Sequence, residues 1–136
     1  MSKKPVMMPG SMAFPCTALL TEDDVVAGCL LLAPRLGCRL WRNNSGAFRD
    51  KTGRLVRFGL GHVSARQVRV WASPDLIGVR CGDGRLLAFE CKEPGWNPAR
   101  LNAHEQAQAN CLMDMARCGA IAAFVTDPEQ LRRLVE

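Results

Sequence analysis

The segment SPDLIGVRCGDGRLLAFECKEPG, residues 73–95, has the pattern of a β-hairpin. Two apolar stretches flank CGDG, whose Gly-Asp and Asp-Gly pairs are typical of a tight two-residue turn. Three charged residues, Asp75, Glu90 and Lys92, interrupt strands made mainly of Leu, Ile, Val, Ala and Phe. These charges need a physical explanation, because the pattern around them indicates burial.

The turn determines which residues of the two strands face each other. Residues directly opposite in an antiparallel pair point to the same face of the sheet. A turn at residues 82–83 places Asp75 opposite Glu90. A turn at residues 83–84 places Asp75 opposite Lys92 instead. Either even-length loop puts all three charges on one face, and only an odd-length loop or a bulge would separate them.

Two interpretations explain charges gathered on one face. Neighbouring carboxylates repel each other, and removing each from water is costly unless it is compensated. A divalent cation would compensate them, because carboxylate oxygens are its usual ligands, and Lys92 would then lie over the same site. The alternative is an ion pair between an acid and Lys92 at the open end of the sheet, where Pro74 and Pro94 mark the strand ends. Geometry alone leaves both interpretations open.

The remaining pattern predicts a single α/β domain at residues 16–136, preceded by a flexible tail at 1–15. Helix starts are indicated by Thr21 before three acids and by Asn102 with Glu105 in the capping-box position. The predicted elements are a helix at 22–33, a strand within 38–44, a turn region at 45–53, a short strand within 54–61, a loop ending in a strand at 67–71, hairpin strands at 75–80 and 85–92, a helix at 103–118, a buried strand at 120–125 and a helix at 128–136. The order predicts a mixed β-sheet flanked by helices, with a βαβ crossover after the hairpin.

Composition and cysteine usage bound the class of protein. Hydrophobic residues make up 48% and charged residues 23% of the 136 positions, as in average globular proteins. The chain has no apolar run near the roughly 20 residues of a membrane span and no secretory h-region at its start, so we expect no membrane association. Seven cysteines without a C-x-x-C pair are expected to be mostly buried thiols in a reducing cytoplasm.

Positive charge is concentrated in one segment. Residues 35–70 contain nine Arg or Lys against one acid, Asp50, so the segment carries +8 and the rest of the chain −3. Such a basic block is typical of a polyanion binder, because each Arg at a phosphate releases counterions. The alternative is a solvated arginine-rich face.

The hairpin resembles a known nuclease signature. PD, followed after fourteen residues by E-C-K, resembles the Asp, Glu-x-Lys motif of the PD-(D/E)XK nuclease superfamily. The segments LWRNNSGAF, SPDLIGV and GRLLAFECK, with a Gln in the next helix, are similar to the VRR-NUC family, in its stand-alone phage and bacterial type. The resemblance covers about residues 19–134. It implies a restriction-endonuclease-like core, in the order α-β-β-β-α-β.

The resemblance also implies roles for individual residues. Asp75 and Glu90 would bind Mg²⁺ or Mn²⁺ with the backbone carbonyl of Cys91, and Lys92 would be the catalytic lysine. Glu22, in the first helix, would approach the metal through water.

The resemblance places further polar residues at the substrate. Gln106 matches the glutamine that lies near the active centre of the family. Asn43, Ser45 and Gly46 match a family segment with a role on the phosphate side. Independently of the resemblance, the basic block is expected to contact the DNA backbone through Arg42, Arg49, Lys51, Arg54, Arg57, Arg66 and Arg69. His62 and His104 are interpreted as surface or packing residues, since this chemistry needs no general base.

The expected function is therefore a metal-dependent, structure-selective DNA endonuclease. By resemblance it would act as a homodimer on branched DNA such as Holliday junctions, in the cytoplasm of a bacterium or a phage-infected cell. The alternatives are a nuclease for flap or duplex DNA, a non-catalytic nucleic-acid-binding module with the same fold, and an RNA-binding protein that relies on its arginines alone.

Overall fold

A computed structural model describes residues 20–136 of the chain. The predicted tail at 1–15, and residues 16–19 of the predicted domain, lie outside the described residues. The helices are α1 (Glu22–Leu32), α2 (Ala65–Val70), α3 (Ala103–Arg117) and α4 (Leu131–Leu134), and the strands are β1 (Cys38–Arg42), β2 (Gly46–Arg49), β3 (Leu55–Phe58), β4 (Leu76–Arg80), β5 (Leu86–Cys91) and β6 (Ile121–Val125). Short 3₁₀ segments follow α1 at Ala33–Leu36 and precede α4 at Pro128–Gln130.

Four strands form a mixed sheet in the order β1-β4-β5-β6. β1, β4 and β5 are antiparallel neighbours, and β6 lies parallel to β5. The parallel pair is joined through α3, as expected for a βαβ connection. The prediction of an α/β fold with a mixed sheet flanked by helices is confirmed.

The β4–β5 hairpin has an even-length loop, although it is longer than predicted. The backbone N–H of Arg80 donates to the carbonyl of Arg85 (2.9 Å), and that of Gly84 donates to the carbonyl of Arg80 (2.9 Å). Residues 81–84 therefore make a four-residue loop instead of a two-residue turn. Gly84 has a φ of 66°, a left-handed conformation that glycine adopts without steric cost.

The hairpin register resolves the alternative left open by the sequence. Leu76 pairs with Phe89 and Ile77 with Ala88. Continuing this register by one residue places Asp75 opposite Glu90, as the turn at 82–83 required.

The two faces of β5 serve different purposes. Leu87, Phe89 and Cys91 lie on one face and pack with Val25 and Cys29 of α1 in the hydrophobic core. Because neighbouring residues of a strand point to opposite faces, Glu90 lies on the other face, which α3 covers. The apolar face therefore supports the strand, and the α3 face carries the charges.

Both predicted helix starts are confirmed. The backbone N–H of Asp24 donates to the Thr21 hydroxyl (3.2 Å), and the N–H of Thr21 donates to the Asp24 carboxylate (2.8 Å). Asn102 and Glu105 form the same reciprocal capping box at the start of α3. This second cap fixes the backbone next to the charged hairpin end.

Residues 46–70, between β1 and β4, form an arm whose structure was predicted only in part. β2, in the stretch predicted as turn, pairs with β3 in a separate two-stranded sheet. The actual turn is confined to Asp50–Gly53, where the Asp50 carboxylate accepts hydrogen bonds from Thr52 and Arg54. A short side-chain-capped turn therefore leaves the preceding residues free to pair.

The strand predicted at 67–71 is wrong, because this stretch lies in and just after helix α2. Alternating Val and polar residues favour a strand, but the Ser64 hydroxyl caps a helix by accepting from the N–H of Gln67 (3.0 Å). α2 packs against α3, where Asn110 donates to the carbonyl of Val70 (2.9 Å). Tertiary contact and capping thus outweigh the local pattern.

Most of the described cysteines are buried thiols, as predicted. Six described cysteines are free, and Cys29, Cys38, Cys91 and Cys111 are buried. Among residues 20–136, no helix is long and apolar enough to cross a membrane.

The close approach of β1 to β4 generates a prediction about Gly78. A Cβ at Gly78 would lie 1.9 Å from the carbonyl oxygen of Arg39, so Gly78→Ala should lower the free energy of unfolding in urea by at least about 2 kcal/mol. Gly82→Ala is the control, because a Cβ there meets no atom within 4 Å and costs only the strain of a φ of 99°. Equal losses in the two variants would contradict the steric explanation.

Candidate metal centre

Three carboxylates from different elements meet at the open end of the β4–β5 hairpin. Glu22 is the first residue of α1, Asp75 directly precedes β4, and Glu90 lies in β5. One oxygen from each lies within 4.8 Å of the others. The structure therefore brings together the three acidic residues that the sequence analysis selected.

Asp75 and Glu90 orient each other through the backbone. The N–H of Asp75 donates to Oε2 of Glu90 (3.0 Å), and the N–H of Cys91 donates to Oδ2 of Asp75 (3.0 Å). Each carboxylate thus accepts a hydrogen bond from the strand that carries the other. The predicted ligand role of the Cys91 carbonyl stays a prediction, while its N–H has this positioning contact.

Asn43 holds the segment that leads into Asp75. Its backbone N–H donates to the carbonyl of Asp75 (2.7 Å). Its side-chain amide donates to the carbonyl of Pro74 (2.8 Å) and to the hydroxyl of Ser73 (2.9 Å). These bonds engage both hydrogens of the Asn43 amide. The side chain of Asn43 therefore has a structural role, which competes with its predicted contact to DNA.

Burial is the main influence on the pKa of Glu90, whose surface is 2% exposed. Loss of water raises the pKa of Glu90 to about 9, and the carboxylate of Asp75 raises it further, while Lys92 and the backbone N–H of Asp75 act in the opposite direction. With this pKa, Glu90 keeps a proton at neutral pH, and a cation bound at the site would have to displace that proton.

Glu22 responds to the same surroundings more weakly. Although its side chain is exposed, loss of water raises the pKa of Glu22, Lys92 lowers it, and Asp75 raises it further. Three hard oxygen donors of this kind fit Mg²⁺ or Mn²⁺, which bind carboxylates in preference to softer ligands.

Lys92 is buried beside the carboxylates, with 7% of its surface exposed. Its ammonium nitrogen lies 3.8 Å from Oε1 of Glu90 and 3.8 Å from Oε2 of Glu105. It also lies 5.9 Å from the ring centroid of Trp96. The Lys92 ammonium thus lies between Glu90, a predicted metal ligand, and Glu105, which was predicted only to cap a helix.

Glu105 links that lysine to the loop after β5. Its Oε1 accepts from the N–H of Asn102 (3.0 Å) and its Oε2 from the indole N–H of Trp96 (2.5 Å). These bonds lower the pKa of Glu105. Trp96 also packs on Phe124, with ring centroids 4.6 Å apart. Glu105 therefore stays ionised and lies fixed beside Lys92.

The prediction for Gln106 is wrong in position. Its side chain is exposed and donates to Asn110 (3.0 Å) on the surface of α3. The glutamine at the site is Gln108, whose amide donates to Oε1 of Glu90 (2.8 Å). Helical periodicity contained the signal, because Gln108 is the polar member of a buried face shared with Ala107 and Cys111.

A cleft of about 420 Å³ opens beside the carboxylates. Asp75 and Glu90 form part of its wall, and so do Ser45 and the arm residues Phe58 and His62. Of the residues predicted to contact DNA, Asn43 and Ser45 line this cleft, whereas the predicted Arg and Lys residues do not.

Six predicted basic side chains extend from the arm. Within residues 20–136, no acidic side chain forms an ion pair with any of them, whereas Arg80 and Arg132 are each paired with an acid. Arg42, at the end of β1, is exposed, as are the basic residues of the arm except Arg57, which is half-buried. The arm therefore presents uncompensated positive charge, carried by Arg49, Lys51, Arg54, Arg57, Arg66 and Arg69.

Comparisons of the chain with protein-family models, with curated proteins and with solved structures found no match. The chemistry of the site is therefore inferred from its own geometry.

The raised pKa of Glu90 generates a prediction about stability and pH. Between about pH 4.5, where an unfolded Glu ionises, and about pH 9, the folded chain retains a proton that the unfolded chain has lost. In EDTA, the free energy of unfolding should therefore fall as pH rises, by up to about 1.4 kcal/mol per pH unit relative to Glu90→Gln. Urea unfolding of both proteins from pH 5 to pH 9 measures this difference, and parallel curves would contradict it.

Proposed function

We propose that this protein is a metal-dependent DNA endonuclease that hydrolyses phosphodiester bonds. One observation supports the proposal most strongly, namely the convergence of Asp75, Glu90 and Lys92 at one hairpin end, with Glu22 completing the acidic cluster. A structural ion pair needs one acid and one base, whereas this site gathers three carboxyl groups beside a single lysine, and a buried Glu90 ionises at neutral pH only if further positive charge joins the site.

The proposed class is the restriction-endonuclease-like fold, and within it a member of the VRR-NUC family. Setting the arm aside, the elements that build the four-stranded sheet and its covering helices follow in the order α-β-β-β-α-β. This is the order of the core of the PD-(D/E)XK superfamily that the hairpin motif resembles. Sequence motif and element order thus support the same class.

The proposed mechanism assigns separate tasks to the residues. Asp75 and Glu90, with Glu22 nearby, would hold Mg²⁺ or Mn²⁺, which when bound polarises a phosphate and lowers the pKa of a water ligand. Lys92 would orient the attacking water or neutralise the charge that develops on the phosphate. Gln108 fixes the orientation of the Glu90 carboxyl by its hydrogen bond. Glu105 and Trp96 fix the position of Lys92.

The arm is proposed to bind the DNA backbone. Its unpaired Arg and Lys side chains are suited to phosphate contacts, which position a duplex without reading its sequence. Branched DNA such as a four-way junction, and a homodimer that cuts two strands symmetrically, remain parts of the proposal that rest on the family resemblance. So does a location in the cytoplasm of a bacterium or phage-infected cell, with which the free cysteines agree.

Cleavage assays test the proposed activity. The purified protein should cut labelled four-way junction, flap or linear duplex DNA in Mg²⁺ or Mn²⁺ but not in EDTA. Asp75→Asn and Lys92→Ala should each reduce the cleavage rate by about a hundredfold or more, because the first removes a charge that would hold the metal and the second a charge that would act at the reacting phosphate. Asp83→Asn, at the opposite end of the same hairpin, is the control and should retain the parent rate. Binding without cleavage in every metal would leave a non-catalytic nucleic-acid-binding module.

The proposed role of the arm predicts a change in salt dependence. Arg54→Ala and Arg57→Ala should each make the plot of log affinity against log salt concentration shallower by about one unit, if each side chain contacts one phosphate. Arg132→Ala is the control, because Arg132 is already paired with Glu129 (2.6 Å). Fluorescence anisotropy with duplex DNA in EDTA measures these slopes. An unchanged slope in both arm variants would exclude the arm from the interface.

A further inference from the structure

The cleft beside the carboxylates contains features that phosphate binding does not require. A phosphodiester backbone needs positive charge, yet no Arg or Lys lines this cleft. Part of the wall is instead apolar, formed by Phe58, Leu60, Val68 and Trp71. The cleft therefore has the character of a site for a partly apolar group that lies next to the phosphate.

The apolar wall is accessible and held in place. Phe58 and Leu60 are each 45% exposed, a high value for such side chains. Phe58 packs against Gly46 of the paired strand, where a Cβ would lie only 3.0 Å from the ring. Gly61 likewise lies against the ring of Trp71, whose indole N–H donates to Asp114 (3.2 Å). Aromatic side chains with fixed positions are suited to stacking against a flat ligand.

Two buried polar atoms in the cleft residues have no partner among residues 20–136. They are Oε1 of Gln108 and Nδ1 of His62. Gln108 is 6% exposed, and its amide nitrogen is already engaged with Glu90. Its free oxygen is therefore an acceptor that lacks a donor, which is costly for a buried group. The Gln108 oxygen and the His62 ring nitrogen together provide hydrogen-bonding positions next to the apolar wall.

We propose that this cleft binds one unpaired nucleobase of the DNA strand whose phosphate lies at the carboxylates. A nucleobase is flat, stacks on aromatic and aliphatic side chains, and has amino and imino donors on its edge. Paired bases in a duplex hide that edge and cannot enter the cleft. This inference rests on the proposed function and specifies its substrate as DNA with an unpaired nucleotide at the cleavage site.

Binding measurements in EDTA test the inference without cleavage. A fluorescently labelled single-stranded oligonucleotide is compared with one of the same length in which the bases are replaced by abasic residues. The parent protein should bind the base-containing strand at least about tenfold more tightly, as stacking of a base predicts. Equal affinity of the parent protein for the two strands would overturn the inference.

Two apolar residues of β3 provide a matched pair of variants. Phe58→Ala should remove most of the preference for bases while changing the affinity for the abasic strand less than twofold. Leu55→Ala is the control, because Leu55 is similarly exposed (42%) on the same strand but does not line the cleft, and it should retain the preference. If Phe58→Ala lowered the affinity for the base-containing and abasic oligonucleotides equally, Phe58 would only stabilise the arm, and its proposed contact with a base would be excluded. Phe58→Leu, which keeps apolar bulk, should retain part of the preference.

The outcomes separate this inference from the proposed function. A preference for bases without cleavage in any metal would support the base site and reject the nuclease. Cleavage by a parent protein that shows no preference for bases would support the nuclease and overturn the base site.

Discussion

The reciprocal contact between Asp75 and Glu90 is the interaction on which the site depends. Each carboxylate accepts a hydrogen bond from backbone of the opposite strand, so neither can move without disturbing the hairpin end. This arrangement requires the even-length loop, because an odd-length loop would turn one acid toward the other face. The hairpin thus acts as a rigid frame that keeps two carboxyl groups close together.

Polar and charged side chains surround the Asp75–Glu90 pair and interact with Glu90. Gln108 donates to Glu90 from α3, and Lys92 lies between Glu90 and Glu105. The opposite face of β5 is packed against α1, so the strand has little freedom to relax. Burial nevertheless favours a protonated Glu90, which means that the protein supplies the frame and a cation would supply the missing positive charge.

The arm contributes part of the wall of the cleft that lies beside the charged cluster. It is inserted between β1 and β4, carries unpaired basic side chains, and contributes Phe58 and His62 to the cleft wall. Its contact with α3 through α2 holds it beside the carboxylates. Under the proposed function, this one insertion would supply both the positive charge for the DNA backbone and the apolar wall for a base, and phosphate chemistry would take place at the hairpin end.

Local patterns in the sequence were sufficient for the helix caps at Thr21 and Asn102, the strands of the main sheet and the grouping of Asp75, Glu90 and Lys92. These features follow from short-range hydrogen bonds and from alternation along a strand, both of which are written in neighbouring residues. Packing between distant segments determined the rest. The orientation of α3 about its own axis, set by its packing on the sheet, turns Gln108 instead of Gln106 toward Glu90. Glu105 contacts Lys92 because the capped start of α3 lies beside the hairpin end. The helical state of α2 depends on contact with α3 in addition to the local Ser64 cap. The apolar cleft combines residues of β3 with residues that are distant in the sequence, so no local pattern contains it.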